Sequence, residues 1–276
     1  MSNLALRTIT AVVFGAVMVC GLLLHPLGFL ILLLAIMLMG MKEFYDISLG
    51  GKFKLQCKLA VIAGVVALLS VFGFLEYGFD IRFAVISLLV LLLIPITCIF
   101  DKDHKDFDQI SLVYTGFVYV ALPIALAPYM VLKAGFFNGL MLLSLFIIIW
   151  VSDIGAYFLG SSLGQKPDSK KLAPLISPKK SWWGFWGGLI LGVVAAIGLY
   201  FLKWLPYSFI HCVALGVVVC VFGVCGDLVE SLWKRRYGVK DSGNCIPGHG
   251  GMLDRFDSSL IAIPAAAVYL TIFGLL

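Results

Sequence analysis

The chain has 276 residues and a formal net charge of +5; 62% of its residues are hydrophobic and only 13% are charged. A water-soluble domain is nearer half apolar and a quarter charged, so this balance excludes an ordinary soluble enzyme. It points to an all-α integral membrane protein, in which spanning segments replace separate cores. Seven cysteines, none in a CxxC pair and most in apolar runs, read as small hydrophobes rather than a disulfide framework or zinc site.

In chain order, nine stretches are apolar enough to cross a bilayer as helix: 8–24, 27–41, 59–75, 83–100, 111–132, 138–159, 185–203, 208–226 and 258–276. Arg7 ahead of the first run suggests a signal peptide. No A-x-A-like site follows, so it reads as an uncleaved span. His25-Pro26 alone divides the first two runs, which form either a helical hairpin or one broken element. Pro123 and Pro128 predict a kink in the fifth. The expected organisation is five spans over 1–135 and a catalytic region over 136–276, with loops at 160–184 and 227–257.

Orientation follows from lysine and arginine. With the N-terminus in the cytoplasm, only Arg82, Lys133 and Lys203 of the 20 basic residues fall outside. Both polar loops then face the cytoplasm. A third loop, DKDHKDFDQ at 101–109, has no glycine and no apolar anchor, and reads as a solvated connector.

The chemistry lies in the last third. Asp227 and Glu230 are three apart, as are Asp254 and Asp257, and residues three apart share a helix face. Two neighbouring helices can thus aim four carboxylates at one point. Hard oxygen ligands of this kind suit Mg2+, which keeps waters and accepts substrate phosphates. Helix capping explains an acid in a first turn, such as Asp254 or Asp257, but not Asp227 and Glu230 at a C-terminal end. Lys234, Arg235, Lys240 and Arg255 lie among these acids, as phosphate ligands would. Between the Lys240-Asp241 and Asp254-Arg255 pairs stands a glycine-rich turn with His249, Gly250 and Gly251, a pattern that suits an anion site at a helix N-terminus. His249 reads as a phosphate or proton donor, against a purely structural role.

The loop before the seventh span offers a matching half. Asp153 is costly in an apolar run without a partner. Ser177, Lys179, Lys180 and Ser181 present hydroxyls and cations. Trp182, Trp183 and Trp186 read as an interfacial belt, and Gly187 and Gly188 as a point of close helix approach.

The stretch from Ser231 to Asp257, S-x-W-K-R-x4-K-D-x-G-x2-I-P-x-H-G-G-M-x-D-R-F-D, resembles the signature of the phosphatidate cytidylyltransferases, the CDP-diacylglycerol synthases. D-x-G-A-Y at 153–157 and S-P-K-K-S-W-x-G at 177–184 resemble that family's second block. The resemblance covers about residues 150–260. It implies condensation of CTP with phosphatidate to give CDP-diacylglycerol and pyrophosphate, with Mg2+ and, as a second candidate, a monovalent cation such as K+. It implies Asp227, Asp257 and Asp254 as metal ligands, and Lys179, Lys180, Lys234, Arg235, Lys240, His249 and Arg255 as phosphate-binding positions. A bacterial inner membrane, an active site facing the cytoplasm and a homodimer are further expectations. The chain departs from the pattern at Trp183, where a glutamate is usual, and at Trp233, where a small aliphatic residue is usual.

Three other readings stand beside this one. A CDP-alcohol phosphotransferase also gathers aspartates, but on a D-G-x2-A-R framework that is absent here. A transporter needs its acids near the bilayer midplane. An inactive paralogue is raised by Trp183 and opposed by the intact GHGGMLDRFD run.

Overall fold

The structure, a computed structural model, describes residues 3–100, 104–133, 136–245, 248 and 250–276. They fall into two units: Met1–Asn138 with Asp241–Arg255, and Gly139–Lys240 with Phe256–Leu276. Among the described residues, eight helices are long and apolar enough to cross a membrane, and the shorter stretch Thr8–Leu23 is apolar too. This is a polytopic all-α membrane protein.

In the first unit, α1 (Asn3–Leu23) and α2 (Pro26–Leu49) form the hairpin that His25-Pro26 suggested. His25 Nδ1 accepts the Leu27 N–H at 3.1 Å, and Pro26 takes the first helical position, where its missing donor costs nothing. α2 continues past the apolar run and ends at Gly50, whose φ of 56° is left-handed. Lys42, Glu43 and Asp46 therefore ride on the helix rather than in a loop.

α3 (Lys54–Tyr77) and α4 (Val85–Cys98) follow, tied by Ser87 Oγ donating to the Ala63 carbonyl at 2.8 Å. The fifth span, where a kink is expected, is not one regular helix. α5 (Ile110–Gly116) opens into a π-helical turn over Phe117–Ala121, then continues as α6 (Leu122–Leu126) and α7 (Pro128–Val131). The widened turn directly precedes Pro123, whose ring cannot sit inside a regular helix. A two-residue pairing of β1 (Leu132–Lys133) with β2 (Phe136–Phe137) closes this part of the chain.

In the second unit, α8 (Gly139–Ser162) and α9 (Trp182–Phe201) meet along a seam of small residues. A Cβ on Gly187 would stand 2.7 Å from the Gly155 carbonyl oxygen, and one on Gly188 would stand 2.9 Å from that of Ser152. Without glycine the two backbones could not approach this closely. Between them, β3 (Lys171–Ala173) pairs antiparallel with β4 (Ser177–Ser181), with Lys171 opposite Ser181 and Ala173 opposite Ser177.

α10 (Phe209–Arg236) runs well beyond the apolar stretch that announced it. Lys234, Arg235 and Arg236 occupy its last turn, where cations complement the helix dipole, and Gly238 (φ 68°) follows the end. α11 (Leu253–Ile272) begins in the first unit and continues in the second. At Gly226, α10 lies directly on the backbone of Asp257 and Ser258, with no room for a Cβ.

Candidate active site

In the second unit a cavity of about 540 Å3 is lined by Asp153, Gln165, Lys179, Lys180, Asp227 and Ser258, with Tyr157, Leu172 and Phe185 as apolar wall. Each element delivers its side chain for a local reason. Ser181 caps α9, its Oγ accepting the Gly184 N–H at 3.2 Å, so Lys179 and Lys180 end a strand just ahead of the helix. Gln165 holds that strand: its Nε2 donates to the Lys179 carbonyl at 2.8 Å and to the Gly160 carbonyl at 3.2 Å. Lys171 Nζ in turn donates to the Gly164 carbonyl at 2.8 Å and to Gln165 Oε1 at 3.1 Å.

Asp227 forms an ion pair with Lys180, and their side chains are 34% and 24% exposed. Ser231 Oγ donates to Asp227 Oδ1 at 3.3 Å. The Gly226 contact sets Asp227 beside Asp257. The charges that act on the Asp257 carboxylate are those of Asp227, Asp153 and Lys234. Its Oδ1 accepts the Ser258 N–H at 2.6 Å. Three negative groups and two cations thus share a small, partly desolvated volume. Two carboxylates side by side repel unless a cation or proton intervenes. The all-oxygen donor pair Asp227 and Asp257, next to open space, therefore fits a hard divalent ion whose remaining ligands are water and substrate. Among the described residues no three His, Cys, Asp or Glu side chains form a closed metal cage.

The other expected site residues are distributed differently. Glu230 is fully buried and paired with Lys234 Nζ at 2.5 Å, one helical turn on, so the acid read as a metal ligand is engaged by its own helix. The Ser181 hydroxyl serves α9 rather than standing free. Ser177 is half-buried opposite Ala173 and does not line the cavity. Arg235 is exposed and donates to the Val239 carbonyl at 3.0 Å, finishing α10. Lys240, Asp241 and Arg255 are exposed. His249 lies outside the described residues.

In the first unit, the start of α11, read as an anion site, holds the protein's own carboxylates. Met252 N–H and Leu253 N–H donate to Glu43 at 2.8 and 2.9 Å. Gly251 N–H and Ser242 N–H donate to Asp254 Oδ2, both at 2.8 Å. Gly250, at φ 87°, has Asp254 Oδ2 2.7 Å from where its Cβ would be. Asp254, expected as a metal ligand, thus closes the glycine turn. Glu43 is the residue that sequence reasoning missed. The signal available was an acid just beyond the second apolar run, and its partners lie some 200 residues away.

Long apolar helices, with lysines and carboxylates gathered in one cavity of the second unit, define an integral membrane protein with a polar site. A family model described as "Cytidylyltransferase family" matches residues 5–273. The phosphatidate cytidylyltransferase of Bacillus subtilis (strain 168) is 33% identical over 284 residues, covering 99% of this chain and 100% of the relative. That of Staphylococcus haemolyticus (strain JCSC1435) is 28% identical, covering 96% and 98%. That of Staphylococcus aureus (strain COL) is 42% identical over 127 residues, 45% of this chain and 46% of the relative. The chain belongs to the cytidylyltransferase family and is a nucleotidyltransferase.

Proposed function

We propose that this enzyme transfers a cytidylyl group from CTP to phosphatidate, giving CDP-diacylglycerol and pyrophosphate at the cytoplasmic face of the membrane, with Mg2+. The reading is carried by full-length similarity to relatives named phosphatidate cytidylyltransferase, together with a cavity that joins cations and acids.

A phosphatidate oxygen attacks the α-phosphorus of CTP, and the bond to the β-phosphate oxygen breaks, releasing pyrophosphate. The attacking oxygen is already anionic at neutral pH, so no strong base is needed. The obstacle is repulsion between anions, which positioning and charge neutralisation must overcome. Lys179 and Lys180 supply positive charge at the cavity wall. Lys180 can turn from Asp227 towards a phosphate, and the charge of Lys234, itself paired with Glu230, also acts on Asp257. Asp227 and Asp257 would hold Mg2+, which when bound neutralises phosphate oxygens. The apolar wall of Tyr157, Leu172 and Phe185 suits a substrate with acyl chains. Trp182, Trp183 and Trp186, each about half exposed in the first turns of α9, suit the headgroup level. The lysine and arginine bias supports the cytoplasmic orientation.

The test is pyrophosphate release by purified protein, with phosphatidate, CTP and Mg2+ omitted in turn. Release should require all three and be matched by CDP-diacylglycerol. Turnover that persists without phosphatidate would assign the chain a different acceptor.

A further inference from the structure

We propose that Glu43 is a positioning residue for the transfer reaction: it fixes where α11 begins, and so where Asp257 stands. The catalytic half of this statement rests on the function proposed above.

α11 has no cap of its own. The residue before it is Met252, which offers no side-chain acceptor, and the first N–H groups of a helix need partners. Glu43, buried on α2, supplies both carboxylate oxygens instead: Oε1 takes Met252 N–H, and Oε2 takes Leu253 N–H together with the Ser242 hydroxyl at 2.9 Å. Ser242 Oγ also accepts the Asp254 N–H at 3.2 Å, so one hydroxyl links the Glu43 carboxylate to the backbone of the first turn of α11. The chain leaves space for this arrangement. A Cβ on Gly243 would stand 2.6 Å from Glu43 Oε1, and one on Gly251 2.5 Å from Oε2. Leu253 packs where Gly40, nearly one turn before Glu43, has no side chain.

A serine or aspartate at 252 could cap the helix, but could not fix it against α2. Glu43 does both. A helix is stiff along its axis, so the anchorage at Leu253 is felt at Asp257, about 6 Å further on. Loss of the anchor should blunt the Asp257 carboxylate without removing it.

The experiment uses full-length protein in lipid nanodiscs, comparing the parent with Glu43→Gln and Ser242→Ala. Glutamine keeps the volume but turns one acceptor into a donor facing N–H groups. Amide exchange across residues 250–258 should quicken by about tenfold or more, with the remaining helices unchanged. The kcat should fall by about 10- to 100-fold, and half-saturation by Mg2+ should move upwards. KM for CTP should change little. Ser242→Ala, which leaves the carboxylate in place, should give a smaller effect of the same kind, and it serves as the decisive variant should Glu43→Gln fail to insert. Unchanged amide exchange would remove the anchor itself. Faster exchange with an unaltered kcat and Mg2+ response would reduce Glu43 to a structural cap. A parent that does not turn over CTP and phosphatidate overturns the functional reading and the catalytic half with it, while exchange still decides the anchorage.

Discussion

The two units treat buried acids in opposite ways. Around Glu43 and Asp254, N–H and O–H donors converge on the carboxylates within about 3 Å, and neighbouring glycines leave no room for anything else. Around Asp227 and Asp257, two carboxylates adjoin each other and a third acts on them, beside a cavity with space for more. A carboxylate supplied with donors from its own backbone is a structural bolt. Asp227 and Asp257 have fewer donors of their own and adjoin Lys180 and open space, which suits a bound cation under the function proposed above.

The sharpest way to break this contrast is Asp257→Asn. It should insert normally and lose about 100- to 1000-fold or more in CTP-dependent pyrophosphate release. Near-normal turnover would make Asp257 no more reactive than Asp254. Next in size is Gly187→Val, which places methyls against the Gly155 carbonyl and the Leu159 side chain. Overpacking there should cost about 1–3 kcal/mol, read as a lowered unfolding midpoint in detergent. An unchanged midpoint would show that the seam has slack. Trp183→Glu places an acid at an exposed position outside the cavity lining. Activity should change by less than about tenfold, since an exposed charge is well screened.

The smallest effect concerns Cys245. Partial burial of its sulfur, then the nearby charge of Glu43, push its thiol above the ordinary value of 9.0. Thiolate is the reactive form, so maleimide labelling at pH 8 should be slower than for a model thiol, and should still climb as pH passes 9.0. Glu43→Gln removes a negative charge that disfavours thiolate, so labelling at pH 8 should speed up. No change would place the Glu43 charge elsewhere.

Hydropathy located the apolar middle of each helix, because lipid tolerates few polar side chains, although α1, α3 and α11 begin at Asn3, Lys54 and Leu253, ahead of the apolar runs. It misjudged where two helices end. α2 reaches Leu49 and α10 reaches Arg236, both carrying charge well past the apolar run. Apolarity marks contact with lipid, whereas the helix stops where Gly50 or Gly238 turns left-handed. The hairpin over 171–181 was not foreseen, being short and basic, with strands set by Gln165 and Lys171 contacts that no periodicity announces. Asp153, Lys180, Asp227 and Asp257 were legible because their spacing is local to two motifs. Glu43 was not, because its meaning depends on residues far along the chain.

That separation also bears on biosynthesis. Glu43 leaves the ribosome 199 residues ahead of Ser242, and its backbone partners come later still. Until the final helix is threaded into the bilayer, an acid on the second helix waits without the donors that will neutralise it. A nascent chain stalled or cut short before residue 242 would carry that charge without the donors that pair it in the finished fold.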